Sequence, residues 1–215
     1  MPRIARIDVP GLPYHICTRA VDGMPCFSNE VDRIIFYNYF REALGRGILQ
    51  LHAFVVMSNH VHILATPLEK GAMAHVMSST CQRFAQHFNR AYDRKGPLLQ
   101  DRFWSSPIEA DGHFYGTQRY IELNPVRAGM VLTPADYRWS SFLHNTGREK
   151  IAEITFHAQY LELGLTPESR ARAWERIVMA GIPAAELKLL RRRFTRNHPL
   201  GSTEFGRRFG FELVS

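Results

Sequence analysis

Leu49-Gln50-Leu51-His52-Ala53-Phe54-Val55-Val56-Met57-Ser58-Asn59-His60-Val61-His62-Ile63-Leu64-Ala65-Thr66 is the stretch on which the fold turns. Leu49 to Met57 is a strongly apolar run of strand length, and His60 to Thr66 is a second. Only Ser58-Asn59 separates them, too short a link for anything but a hairpin, and asparagine tolerates the positive φ of a tight turn. Side chains alternate across a strand. His60 and His62 therefore share one face, and Val61 and Ile63 the other.

Pro10-Gly11-Leu12-Pro13 is a turn signal, and Tyr14 to Arg19 after it reads as a strand. Ser28 or Asn29 caps a helix carrying Asp32, Ile35, Phe36, Tyr39, Phe40 and Ala43, with Gly45 and Gly47 at its end. Gly71 to about Tyr92 is a second helix, with Met73, Val76, Met77, Phe84 and Phe88 on its apolar side. Phe103 to Ala110 reads as a further strand. Asp111 is placed to cap a third helix that runs to about Asn124 and is stopped by Pro125. The order strand, helix, strand, strand, helix, strand, helix predicts an α+β fold: a ferredoxin-like antiparallel sheet with helices packed on one face. Residues 1–150 form that domain. Residues 151–215 read as a basic helical C-terminal extension. Its helices are Arg170–Ala180 and Ala184–Arg196, a further segment starts at Gly201, and its densest cluster is Lys188-Leu189-Leu190-Arg191-Arg192-Arg193-Phe194.

The chain has 215 residues, 45% of them hydrophobic and 22% charged, which excludes wholesale disorder and collagen-like polymers. No run of about 18 apolar residues is present to span a membrane. The N-terminus lacks an apolar signal core, so a cytoplasmic protein is expected. The three cysteines (Cys17, Cys26 and Cys81) lack CxxC spacing, which argues against a disulfide framework or a cysteine-zinc site. The net charge of +7 is carried mainly by arginine, and 12% of residues are aromatic. Arginine suits bidentate phosphate contacts and aromatic rings suit base stacking, so nucleic acid is the indicated partner.

Two features carry chemistry. His60 and His62, on one strand face, are spaced to converge on one divalent ion. Tyr120 and Asn124, four apart, share a helix face. Gly116, one turn earlier, leaves that face uncovered beside Tyr120. Each feature alone has a plainer reading, as two half-exposed histidines or a core tyrosine. Together they supply two nitrogens, one amide oxygen and a phenol. An ion held so has positions left for a phosphate and would polarise a scissile phosphodiester. Attack by the tyrosine would store the bond energy as a phosphotyrosine link, whereas an ion-activated water would simply hydrolyse it.

The chain resembles the REP-associated tyrosine transposases, a branch of the HUH single-strand endonucleases. The resemblance rests on Pro10 to Ile16, His52 to Leu64, Gln100-Asp101-Arg102-Phe103-Trp104-Ser105-Ser106, Arg119-Tyr120-Ile121-Glu122-Leu123-Asn124-Pro125-Val126-Arg127-Ala128-Gly129 and Trp139-Ser140-Ser141. It departs at Ala20, where the family often has glycine, and at Ser58, where proline is common. The resemblance implies a bacterial, nucleoid-associated nickase and strand transferase, acting as monomer or homodimer on single-stranded DNA beside a REP-type hairpin. Tyr120 would be the nucleophile, leaving a 5′-phosphotyrosine. His60, His62 and Asn124 would hold Mg²⁺ or Mn²⁺. Tyr115, a nearby rival nucleophile, lies outside the motif and about 140° around the helix. Arg102, Arg119 and Arg127 are expected at phosphates, with Arg191, Arg192 and Arg193 gripping flanking DNA. A domesticated hairpin binder that no longer cuts is the alternative.

Overall fold

The computed structural model describes residues 7–100, 102–195 and 197–211. The N-terminal residues behind the export expectation, the motif residue Asp101 and the expected helix end Arg196 lie outside the described residues. The elements are β1 (Tyr14–Arg19), α1 (Glu30–Leu44), β2 (Leu49–Val56), β3 (His60–Pro67), α2 (Ala72–Ala91), β4 (Trp104–Pro107), α3 (Ala110–Glu122), α4 (Asn124–Arg127), α5 (Phe142–Asn145), α6 (Ala158–Leu161), α7 (Pro167–Met179), α8 (Ala184–Phe194) and α9 (Thr203–Arg207). The strands form an antiparallel sheet in the order β2-β3-β1-β4. This is the ferredoxin-like α+β arrangement read from the sequence.

The register places Cys17 opposite His62 and Arg19 opposite His60, so these four share one face. Ile16 opposite Ile63 and Thr18 opposite Val61 point to the other. That second face packs against α1 and α2, where Phe36, Phe40, Phe84 and the stacked Phe27 are buried. The histidine face is covered as well: Ala53, Val55 and Leu64 meet Phe114 and Ile121 of α3 and Leu190 and Phe194 of α8. Helices therefore flank both faces, and the one-sided expectation is corrected. Ala53 to Met57 and Ile63 to Ala65 are apolar at consecutive positions, the pattern of a strand buried on both sides.

The hairpin turn differs from the expected one. Met57 N–H donates to the His60 carbonyl at 2.8 Å. Among the described residues the only positive-φ non-glycines are Asp22, Asp93 and Asn197, so Asn59 does not supply a left-handed corner. The turn is braced from outside instead. The Ser58 carbonyl accepts from the N–H groups of Cys26 and Phe27, and the Asn59 carbonyl accepts from Ala20 N–H.

The third helix also departs at both ends. Asp111 (ψ 117°) and Gly112 (φ 85°) are non-helical, and Asp111 accepts from Gln159 Nε2 without capping. Pro125 does not end the helical path. It sits in the first turn of α4, where a missing N–H costs nothing, so the chain bends at Leu123 and continues. The face left open by Gly116 is filled by α8: a Cβ there would collide with the Glu186 carboxylate. The glycine admits a helix rather than a ligand.

Residues after 150 are helical and pack inward. Trp174 and Val178 of α7 and Tyr160 of α6 close a cluster with Leu123 and Phe142, while Ile108 forms a β-bridge to Leu200. Glu122, wholly buried at the end of α3, joins these layers. Its carboxylate accepts from Ser141 Oγ and Asn145 Nδ2 at 2.6 Å and from Trp174 Nε1 at 2.8 Å. Burial raises its pKa, against the opposing effect of these donors. Glu122→Ala leaves three buried donors unpaired and is expected to destabilise the protein by about 3 kcal/mol or more in urea unfolding. Glu122→Gln, which keeps an acceptor, is expected to lose less.

Candidate nucleic-acid cleavage site

A cleft of about 580 Å³ opens on the histidine face of the sheet. Its walls include His60 and His62 of β3, Tyr120 of α3, Asn124 of α4 and Arg191 and Phe194 of α8. The two sequence features thus meet in one chain. The His62 and Tyr120 ring centroids are 5.8 Å apart, and those of His60 and His62 are 4.8 Å apart at 85°.

Each imidazole is held by its Nδ1. Asn59 Nδ2 donates to the Gly23 carbonyl at 2.9 Å, which orients the amide so that Oδ1 faces His60 Nδ1 at 2.6 Å. An amide oxygen only accepts, so His60 Nδ1 carries the proton and Nε2 keeps its lone pair. His62 Nδ1 lies 2.8 Å from His15 Nε2. Neither His60 Nε2 nor His62 Nε2 has a hydrogen-bond partner among the described residues. Burial lowers the pKa of His15 to about 3, of His60 to about 4, and of His62 well below its ordinary value, with nearby cationic groups adding to the effect. All three rings are neutral at pH 7, as metal ligation requires.

Asn124 contributes a buried amide nitrogen with no partner, on the wall shared with both histidines. That nitrogen is a donor and no ligand, so Asn124 would meet a cation through Oδ1; with the two imidazole Nε2 lone pairs this donor set is one that a divalent cation of mixed N and O preference accepts. Among the described residues no three His, Cys, Asp or Glu side chains converge to hold an ion, so one here would rely on the amide and on groups brought by the ligand.

Tyr120 is 9% exposed. The Arg127 guanidinium lies 4.2 Å over its ring, and Arg127 Nη1 donates to the Tyr120 carbonyl at 2.8 Å, so the arginine clamps the tyrosine from behind. Phe194 closes the other side, 5.4 Å from the Tyr120 ring and stacked on His15 at 3.7 Å. Tyr115 points elsewhere: its hydroxyl donates to the Gln159 carbonyl.

The six expected arginines separate. Arg191 lines the cleft, and Arg127 backs Tyr120. Arg192 is exposed. Arg102 lines a second groove, of about 600 Å³, beside α2, and Gln100 belongs to both hollows. Arg119 does not reach the cleft wall, being ion-paired with Glu186 at 2.5 Å. Arg193 is 4% exposed, so its side chain is largely withdrawn from any DNA. His15, Cys17, Arg19, Gln100, Trp104 and Phe194 were not singled out as site residues, yet all line the cleft. The alternation in Tyr14–Arg19 marks His15, Cys17 and Arg19 as one face, but only the pairing of β1 with β3 sets it beside His60 and His62.

The chain belongs to the IS200-like transposase family, whose pattern matches residues 8–124, more than half of its length. The match spans the sheet, both histidines, Tyr120 and Asn124. Among solved structures it is similar to a REP-associated tyrosine transposase bound to a REP hairpin, at 20% identity and a TM-score of 0.56, over 74% of this chain and 96% of that one. A transposase-like protein of Deinococcus radiodurans R1 aligns at 21% identity and a TM-score of 0.39, over 56% of this chain and 96% of that one. No curated protein matches it. The resemblance read from the motifs thus rests on family as well as fold.

Buried neutral histidines link stability to pH. His52 belongs with them: its Nδ1 meets the Thr155 carbonyl at 2.6 Å, its Nε2 meets Thr66 Oγ1 at 2.8 Å, and burial lowers its pKa to about 4. Folded values below 6.5 mean that the unfolded chain binds more protons between about pH 4 and 6.5. Stability is therefore expected to be full above pH 6.5 and to fall on acidification, by at most about 1.4 kcal/mol per pH unit for each proton. Urea titrations from pH 7 to 4 in EDTA should show this slope, reduced in His52→Gln; a flat profile would contradict it.

Proposed function

We propose that the protein is a metal-dependent single-strand DNA endonuclease and strand transferase acting beside DNA hairpins of the REP type. The observation that carries this reading is the shared cleft, in which two imidazoles with uncommitted Nε2 atoms stand beside the ring of Tyr120 in one chain. Family membership supports the DNA-transposing class, and the hairpin held by the structural relative supports the substrate.

In this reading Tyr120 Oη attacks the scissile phosphorus. The P–O3′ bond breaks, the phenol proton leaves to solvent, and the O3′ leaving group takes up a proton. The products are a 5′-phosphotyrosine and a free 3′-hydroxyl, and reversal onto another 3′-hydroxyl rejoins DNA without external energy. His60, His62 and Asn124 would hold Mg²⁺ or Mn²⁺, which when bound supplies Lewis-acid stabilisation of charge on the phosphate. Arg127 holds the tyrosine ring against the cleft and sets positive charge over its face. Arg19 and Arg191, exposed at the rim, suit the flanking backbone. Trp104, half-buried in the wall, offers a π face to an unstacked base.

A non-cleaving hairpin binder has one observation in its favour: Tyr120 is largely covered by Phe194 and Arg127. Incubation with labelled hairpin DNA separates the two. Wild type with Mn²⁺ is expected to give an adduct that survives denaturation, and Tyr120→Phe or EDTA to abolish it. Cleavage without an adduct would indicate attack by water; binding without cleavage under any metal would leave the binder.

The tail arginines make a separate prediction. Removing the whole tail would also remove Leu190, Phe194 and Leu200 from the core, so charge substitutions are cleaner. Arg191→Gln and Arg192→Gln are each expected to weaken DNA binding and to lower the log K against log salt slope by about 1. Arg193→Gln, buried, is expected to alter stability and leave the slope unchanged.

A further inference from the structure

The two imidazoles are held by different means. His60 gives its Nδ1 proton to an amide oxygen whose orientation is fixed by Gly23. His62 faces another imidazole, which by itself allows either ring to be the donor. His15 lies on β1 opposite Leu64, so its ring reaches His62 on the diagonal across the β1–β3 pair. Phe194 stacks on it at 3.7 Å and 22°, which fixes the ring plane. His15 and His62 are 2% and 6% exposed, leaving little room for water to replace this contact.

We infer that His15 is the positioning residue of the metal site: its Nε2 accepts the Nδ1 proton of His62, locks that ring in the Nδ1–H tautomer and leaves His62 Nε2 as a lone pair for a divalent cation. The inference rests on the metal-binding reading of the cleft. The reverse arrangement, with His15 donating, would put the proton on His62 Nε2 and close it to metal. A metal-bound histidine commonly gives its second N–H to a carboxylate or a carbonyl. A neutral imidazole accepts without adding charge, so this device orients His62 without adding a negative group beside the DNA phosphate. It also makes α8 part of the metal site, because Phe194 holds the ring that holds the ligand.

The test needs no cleavage assay. Mn²⁺ binding to the DNA-free protein, read from the free-ion EPR signal, is expected to weaken by about 10- to 100-fold in His15→Phe, which keeps a ring against Phe194 but removes the acceptor. His15→Gln returns an oxygen acceptor at similar reach and is expected to recover most of the affinity. In the unsubstituted protein, ¹⁵N-correlated NMR of the histidine side chains is expected to show His62 protonated on Nδ1. A His62 ring protonated on Nε2, or a folded His15→Phe variant that binds Mn²⁺ as wild type does, would overturn the role of His15. A wild type that binds no Mn²⁺, with His62→Ala behaving the same, would instead overturn the metal-site reading on which it stands.

Discussion

The pairing register of β1 against β3 is the constraint on which the site depends. Cys17 opposite His62 and Arg19 opposite His60 put the polar side of β1 and both imidazoles on one face. The period of a strand is two, so a slip of one residue would turn His60 and His62 into the phenylalanine layer under α1 and α2 and bring Val61 and Ile63 to the cleft. The register is held from both sides. Ile16, Ile63 and Phe54 are locked into that layer, and the Ser58-Asn59 turn is tied to the 20–27 loop by three backbone hydrogen bonds. The same loop orients Asn59, which orients His60. Backbone bracing at a hairpin tip thus ends as a choice of imidazole tautomer.

Covering the histidine face is the second requirement. A two-layer sheet would leave the imidazoles in water, where they would titrate near their ordinary value. With α3 and α8 packed over it the cleft is narrow and the rings stay neutral. That cover has to admit a helix beside Tyr120, and Gly116 is the residue that allows it. Arg119, one turn from Gly116 on the same side of α3, pairs with Glu186 and pins α8 in place. A residue expected at a phosphate thereby serves the packing of the helix that carries Arg191 and Phe194.

Glu122 couples the tyrosine helix to the rest of the chain. It lies two residues beyond Tyr120, facing away from the cleft, and binds three donors from two later parts of the sequence, the 141–145 segment and α7. Tyr120 is thus held between Arg127 and Phe194, and its helix is anchored through a buried carboxylate. Preorganisation of this kind suits the role proposed for Tyr120, in which its oxygen must meet phosphorus in line.

The amino-acid sequence alone carried the four strands, the long helices α1, α2, α3, α7 and α8 and their order, the shared face of His60 and His62, and the spacing of Tyr120 and Asn124, because these follow from local periodicity and a two-residue link; α4, α5 and α6, each four residues long, offer no period to read. Its motifs also carried the family. It did not determine which strand lies beside β3, and so His15, Cys17 and Arg19 stayed unassigned: their place is set by pairing across 47 residues between His15 and His62. Nor did it separate the arginines. Arg191, Arg192 and Arg193 are neighbours in sequence, yet 100° of rotation per residue sends the last into the core and leaves the others in solvent. Pro125 and Asp111 carried the stop and start signals of a helix, and tertiary packing overrode both, since α4 continues the path to place Asn124 and Gly112 supplies the bend that Asp111 could not. Local chemistry wrote the elements and the reactive groups; their meeting in one cleft came from long-range packing, which no local pattern encodes.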